Sequence, residues 1–250
     1  MSDPDAAAPA DGFGLEPVDR RRLADRAYDA VRLGIVEGRF PMGHQLREIP
    51  LAAALGMSRG PVREALRRLS EEGLLEEEPH RGVRVREVSA RDIVDLYNVR
   101  IALETTAIRL LIRNGVSTEP LRRVIHEQAE AARRGASHIV ARTGLEFHRT
   151  LCELSGNVVL AQVFRSLEAQ VMMAISIGDA RAPALLEPVQ GHRRLVERIE
   201  AGDERGAVGE LADIVATALG RILEALGGDP RQLLTPLSAV AVDAGQEGAR

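Results

Sequence analysis

The stretch LGMSRGPVREALRRLSEEGLL, residues 55–75, sets Arg59, Arg63 and Arg67 four residues apart. It does so in a chain whose acidic residues outnumber the basic ones, 37 to 33. Gly56 suits a helix C-terminus and Ser58 a helix N-cap. Pro61 falls in the first turn of the helix that follows, where its missing N–H costs nothing. Within that helix Val62, Ala65, Leu66 and Leu69 share one face, and the three arginines lie on a face rotated away from it. A rigid rod with an apolar back and guanidinium forks in front is suited to the major groove of DNA, where arginine reads guanine edges or holds phosphates. The plainer alternative is a solvated face whose arginines pair with Glu64, Glu71 and Glu72.

The flanking sequence favours the groove. Upstream, Leu23, Ala27, Ala30, Val31, Gly34 and Ile35 recur at helical spacing. The stretch 37–46 (EGRFPMGHQL) breaks that pattern, and 47–56 gives a second short helix. Downstream, Leu74 and Leu75 begin an extended run. Pro79, His80, Arg81 and Gly82 form a turn, and Val83 and Val85 alternate with arginine as a strand does. Helix, helix, turn, helix and hairpin is the order of a winged helix-turn-helix, with His80, Arg81 and Gly82 at the tip of the wing. Charge agrees: residues 20–87 carry 14 Arg against 11 acids, while residues 1–19 carry five acids and no arginine.

Composition narrows the rest. Aromatics are 2% of the chain, Trp is absent, and all 33 basic residues are arginine. Ala, Leu, Val and Ile dominate the apolar set, as in helices packed through aliphatic faces. The single cysteine, Cys152, excludes an internal disulfide framework and a Cys-based zinc cluster. No apolar run approaches the length of a membrane span, and the acidic N-terminus lacks the order of a signal peptide. A cytoplasmic protein without membrane association is expected. After Ser89, breaks at Gly115, Gly135, Ser155-Gly156, Gly178 to Pro183, Gly202 and Gly227-Gly228 divide the chain into six helices, the fifth kinked by Pro188. The expected fold is mostly α: an N-terminal winged helix-turn-helix over 19–88 and a C-terminal all-helical antiparallel bundle over 89–227. Flexible tails are expected at 1–18 and 228–250.

The segment around 28–85 resembles the winged helix-turn-helix of GntR-type bacterial transcription regulators. Leu46-Arg47-Glu48, Leu51-Ala52, Leu55-Gly56, Ser58-Arg59 and Pro61-Val62-Arg63-Glu64-Ala65-Leu66 match its pattern, and Arg81-Gly82 matches its wing. Gly60 departs from it, standing where the family usually has a threonine whose hydroxyl helps contact DNA. The helical half resembles the FCD ligand-binding domain of the FadR-like branch. Arg100 and Glu104 match, as do FHRTLCELSGN (147–157) and GHRRLVERIEAGD (191–203).

The resemblance implies a sequence-specific, homodimeric regulator, usually a repressor, on a palindromic double-stranded operator. Ser58, Arg59, Gly60, Arg63, Arg67, His80, Arg81 and Gly82 would face the DNA. A small acidic or acyl-bearing effector would sit by Arg100, His148 and His192. Many relatives in that branch hold a metal with one Asp and three His. Here His148 and His192 occupy two of those positions, and Gly144 and Ile214 occupy the others. No cofactor or metal is therefore expected. Cys152, one turn after His148, is the nearest substitute donor, although a buried apolar role is the plainer one. Arg100 either faces the pocket or pairs with Glu104. His44, His126 and His138 show no ligand spacing. Two other functions compete: a regulator that no longer responds to ligand, and a helical metal-dependent hydrolase, which would need a complete ligand set.

Overall fold

A computed structural model of the chain describes residues 20–78, 82–179 and 185–228. The expected tails fall almost wholly outside these residues, as do His80 and Arg81. Helix α1 (Arg20–Val36) buries Ala24, Ala27, Val31 and Ile35, one residue per turn, against α3 (Arg59–Glu71). Phe40 folds back over α1 at Gly34, where a Cβ would stand 2.5 Å from the ring. Helix α2 (Glu48–Leu55) ends at Gly56, whose φ of 63° lets its N–H return to the last turn. Ser58 holds the extended N-cap conformation of α3, but its side chain makes no capping hydrogen bond. The face bearing Val62, Ala65, Leu66 and Leu69 is buried, as its spacing requires.

Strands β2 (Leu75–Glu78) and β3 (Gly82–Val85) form the expected hairpin, with Leu75 opposite Val85. The sheet also has a third strand that local pattern did not reveal. Gln45–Leu46 (β1) pairs antiparallel with β3, giving the order β1-β3-β2. Two residues are too few to show a period of two. Docking on β3, with Leu46 buried beside Val85 and Leu75, creates the strand.

The bundle comprises α4 (Ala90–Asn114), α5 (Glu119–Arg133), α6 (Ser137–Leu154), α7 (Val158–Asp179), α8 (Leu186–Glu200) and α9 (Glu204–Ala225). Ser89 opens it with a capping box: its hydroxyl accepts from the Asp92 N–H, and the Asp92 carboxylate accepts from the Ser89 N–H. Tyr97, Ile101, Phe147, Phe164, Leu195 and Leu219 are among the fully enclosed side chains of its core. One expectation needs correcting. Pro188 lies in the first turn of α8, where a ring without an N–H is tolerated, so it kinks nothing. The break expected over Gly178 to Pro183 follows the end of α7 at Asp179, and Gly178 itself packs closely on α9, where a Cβ would come within 3.2 Å of Ile222.

Among the described residues α7 is long and apolar enough to cross a bilayer, by composition alone. Its buried side chains are instead divided between two protein cores. Leu160, Phe164, Val171 and Met172 belong to the bundle, while Ala169 and Met173 pack with α1, α3 and the sheet. Between them Gln170 Nε2 donates to the Glu72 carbonyl at the C-cap of α3, at 3.1 Å.

Candidate functional site

Two sites are built on this frame. The first is the outer face of α3, where the Arg59, Arg63 and Arg67 side chains are 57%, 64% and 61% exposed. They line one groove with Gly82 and Val83 of the wing. Gly82 adopts φ 97°, a backbone conformation that a side chain would strain. A Cβ on Gly60 would meet nothing within 4 Å, so a threonine would fit there, and its absence leaves the groove one hydroxyl poorer. The ion pairs differ from the expected set. Arg67 does pair with Glu71, but Arg59 and Arg63 both turn to Glu48 of α2. Glu72 instead accepts from the Tyr28 hydroxyl at 2.6 Å, beneath Arg68.

The second site is a cavity of about 120 Å³ inside the bundle. Its lining includes Arg100, Gln128, Gly144, His148, His192 and Ile214. Arg100 and His192 are 2% and 1% exposed as residues, and Glu104 is fully enclosed. Arg100 Nε donates to Glu104 Oε1 at 2.6 Å, and His148 Nδ1 donates to Glu104 Oε2 at 2.5 Å. The two alternatives for Arg100 are therefore both met: it pairs with Glu104 and still lines the cavity. His148 Nε2 and His192 Nε2 lie 3.2 Å apart, and His192 Nδ1 lies 2.8 Å from the Gln128 carboxamide oxygen. The His192 ring stacks on Phe147 at 4.1 Å. Gln128 was not foreseen, yet its signal is visible: it is the polar member of an apolar face formed by Leu121, Val124, Ile125 and Ala131.

Burial, then His148 and Arg100, pushes His192 well below the usual imidazole pKa. Burial and Arg100 likewise lower His148, against an opposing pull from Glu104. Burial alone would raise Glu104, but His148 and Arg100 outweigh it and hold the carboxylate below its usual range. His148 gives its Nδ1 proton to Glu104, Gln128 Oε1 accepts from His192 Nδ1, and Gln128 Nε2 donates to the Val140 carbonyl at 3.2 Å.

The neutral histidines carry a pH prediction. The unfolded chain protonates both rings below about pH 6.5, whereas the folded chain resists. The unfolded state then binds more protons, so stability falls with falling pH, starting near pH 6.5 and well above the carboxylate range. The melting temperature should drop between pH 7.5 and 5.5, and His192→Gln should flatten that slope. A flat wild-type profile would mean that the rings are already charged in the fold.

The four positions aligned with a metal site converge on this one cavity, but they do not form a donor set. Gly144 and Ile214 bring no ligand atoms, and no group of three or more His, Cys, Asp or Glu among the described residues could hold a metal. Two imidazoles fall short of the three or four protein ligands that zinc takes. Cys152 is fully enclosed among apolar neighbours, and burial raises its thiol pKa, so it is a core residue and not a substitute donor. A Cβ on Gly144 would meet the end of the Gln128 side chain at 2.9 Å and His192 at 3.8 Å. Gly144→Asp with Ile214→His should therefore create a zinc or nickel site once Gln128 swings aside. Calorimetric titration of that variant with either metal measures the gain, and no binding would show that these helix faces are not aligned as argued. The remaining histidines, His44, His126 and His138, are exposed and separate.

Comparison with known proteins follows the same division. Residues 23–85 match the family described as bacterial regulatory proteins, gntR family, and residues 95–217 match the FCD domain. The chain is 34% identical over 210 residues to a Paenarthrobacter nicotinovorans protein described as a probable D-xylose utilization operon transcriptional repressor, covering 84% of this chain and 92% of that one. A crystal structure from Rhodococcus sp. RHA1, assigned as a GntR transcriptional regulator, superposes with a TM-score of 0.69 at 25% identity, covering 81% of this chain and 98% of that one. E. coli McbR/YncC shares the fold, with a TM-score of 0.69 at 23% identity over 81% of this chain and 97% of that one.

Proposed function

The chain belongs to the GntR family and is a DNA-binding transcription regulator with an FCD domain, and from that premise we propose that it represses its operator until a small acidic metabolite enters the helical cavity. Helix α3 lies in the major groove with Arg59, Arg63 and Arg67 toward the bases and phosphates, and Ser58 and Gly60 allow close approach at its start. The wing, with Gly82 beside its tip, follows the adjacent backbone. One short helix reads few base pairs, so two copies act on a palindromic operator. The apolar surface of Val99 on α4 and Val158, Val159 and Val163 on α7, each 39–68% exposed, is suited to joining them. Such a regulator works in the cytoplasm and needs no catalytic group.

The effector proposal rests chiefly on Arg100, a buried cation that lines the cavity and is bonded to Glu104 through Nε. The rest of a guanidinium is a fork for a carboxylate. A cavity of about 120 Å³ favours a compact acid over a long acyl chain. The signal has a rigid carrier. Ile175 and Asp179 of α7 line the cavity, and Gln170 of the same helix is bonded to the end of α3. A ligand that displaces α7 by a fraction of an ångström therefore tilts the reading helix, which is a differential contact of the kind coupling requires. Operator affinity measured by fluorescence anisotropy against a panel of small carboxylates tests this. Release by an acid but not by its amide supports it, and indifference to every acid favours a regulator that has lost its ligand.

A further inference from the structure

Glu48 is shared by two arginines of the reading helix. Arg59 Nε and Nη2 donate to Glu48 Oε2 at 3.3 and 3.0 Å. Arg63 Nε donates to Oε1 at 2.6 Å, and its Nη2 to Oε2 at 2.9 Å. Each guanidinium thus gives Glu48 the same edge, the one formed by Nε and Nη2. A guanidinium has five N–H donors, and the opposite edge, formed by Nη1 and the second Nη2 proton, stays open on both residues. That end-on edge is the fork that takes guanine O6 and N7. Glu48 is placed for this by the fold: it is the first residue of α2, and the Gly56-Met57-Ser58 turn brings α2 across the start of α3. Its side chain is only 26% exposed, and the two arginines, Arg63 first, hold its pKa near 2, so it stays charged at any working pH.

We propose that Glu48 is the specificity-determining positioning residue of the DNA interface, orienting the forks of Arg59 and Arg63 toward base edges and denying their Nε edges to phosphate. Its carboxylate fixes two long side chains before DNA arrives, so less rotamer entropy is lost on binding. It also cancels one of two positive charges, which weakens attraction to any duplex whatever its sequence. A residue that weakens general attraction and sharpens base contacts raises the ratio of specific to non-specific affinity. This rests on the proposed placement of α3 in the groove.

The test uses the full-length protein, a duplex selected by wild type from a random-sequence library, and a scrambled duplex of equal length. Glu48→Gln keeps size but has one acceptor oxygen and no charge. It should bind the scrambled duplex more tightly, steepen the salt dependence by about one counterion, and lower the selected-to-scrambled ratio about tenfold or more. Glu48→Asp should recover part of the ratio. A repeated library selection with Glu48→Gln should return a less defined sequence, which does not depend on absolute affinity. An unchanged ratio would overturn the proposal. So would equal tightening on both duplexes, which would make Glu48 a simple brake, or equal weakening with a lower melting temperature, which would make it structural. Arg59→Ala and Arg63→Ala run in parallel separate the two levels. If they still select the operator, the placement of α3 is wrong. If they do not, yet Glu48→Gln keeps the ratio, only the role of Glu48 is.

Discussion

Arg59→Ala and Arg63→Ala should each abolish selective operator binding while the protein stays folded. The two side chains are 57% and 64% exposed, so their loss forfeits surface ion pairs that contribute little to stability. Removing one leaves Glu48 paired with the other. On DNA the balance reverses. A bidentate contact to guanine contributes about 1–3 kcal/mol of discrimination, and a two-fold operator presents each contact twice. Loss of both half-site contacts therefore costs about 2–6 kcal/mol, enough to bring the selected duplex close to the level of any other sequence. Electrophoretic shift with selected and scrambled duplexes measures this, and thermal melting confirms the fold. Variants that both bind like wild type would remove α3 from the groove.

The second large effect lies in the bundle. Arg100→Met leaves the Glu104 carboxylate fully enclosed, with His148 as its remaining partner, and breaking a buried pair in this way costs about 3–5 kcal/mol. The melting temperature should fall steeply. His148 should take up a proton to compensate, because a lone buried anion next to an imidazole favours the charged ring. The double variant Arg100→Met with Glu104→Gln removes both charges and should regain most of the stability, since replacing a buried pair altogether is often close to neutral. That variant separates structure from sensing. If Arg100 anchors the effector, the double variant keeps operator binding, because its changes lie outside the winged domain, but it ignores the acid that releases wild type. A double variant that still lets go at the wild-type concentration of acid would make Arg100 only the structural partner of Glu104.

Much of this molecule is legible locally. The apolar face of α3, the glycine at the end of α2, and the six helices of the bundle follow from spacing and breakers, because helical periodicity and chain-reversing glycines act over a few residues. The same holds for the two polar clusters: arginines every fourth residue on α3, and Arg100 one turn before Glu104 on α4. The resemblance of residues 28–85 to a known winged domain adds that the arginines belong to a reading helix.

What stayed hidden depends on residues far apart in the chain. Strand β1 exists because β3, nearly 40 residues on, offers it a ladder of backbone groups. Pro188 looked like a kink until the true start of α8 put it in a first turn. Spacing on α3 offers its arginines Glu64, Glu71 and Glu72, and Arg67 does take Glu71. Glu48 takes Arg59 and Arg63 because the turn folds α2 over the start of α3 and brings its carboxylate between them. The chain from Arg100 through Glu104, His148 and His192 to Gln128 joins four helices. No sequence spacing encodes it, since burial decides both that these polar groups must find one another and that the rings stay neutral. Local pattern determines which faces are apolar and which are charged. Only packing determines which charged group meets which, because a hydrogen bond acts over 3 Å in space, whatever the distance along the chain.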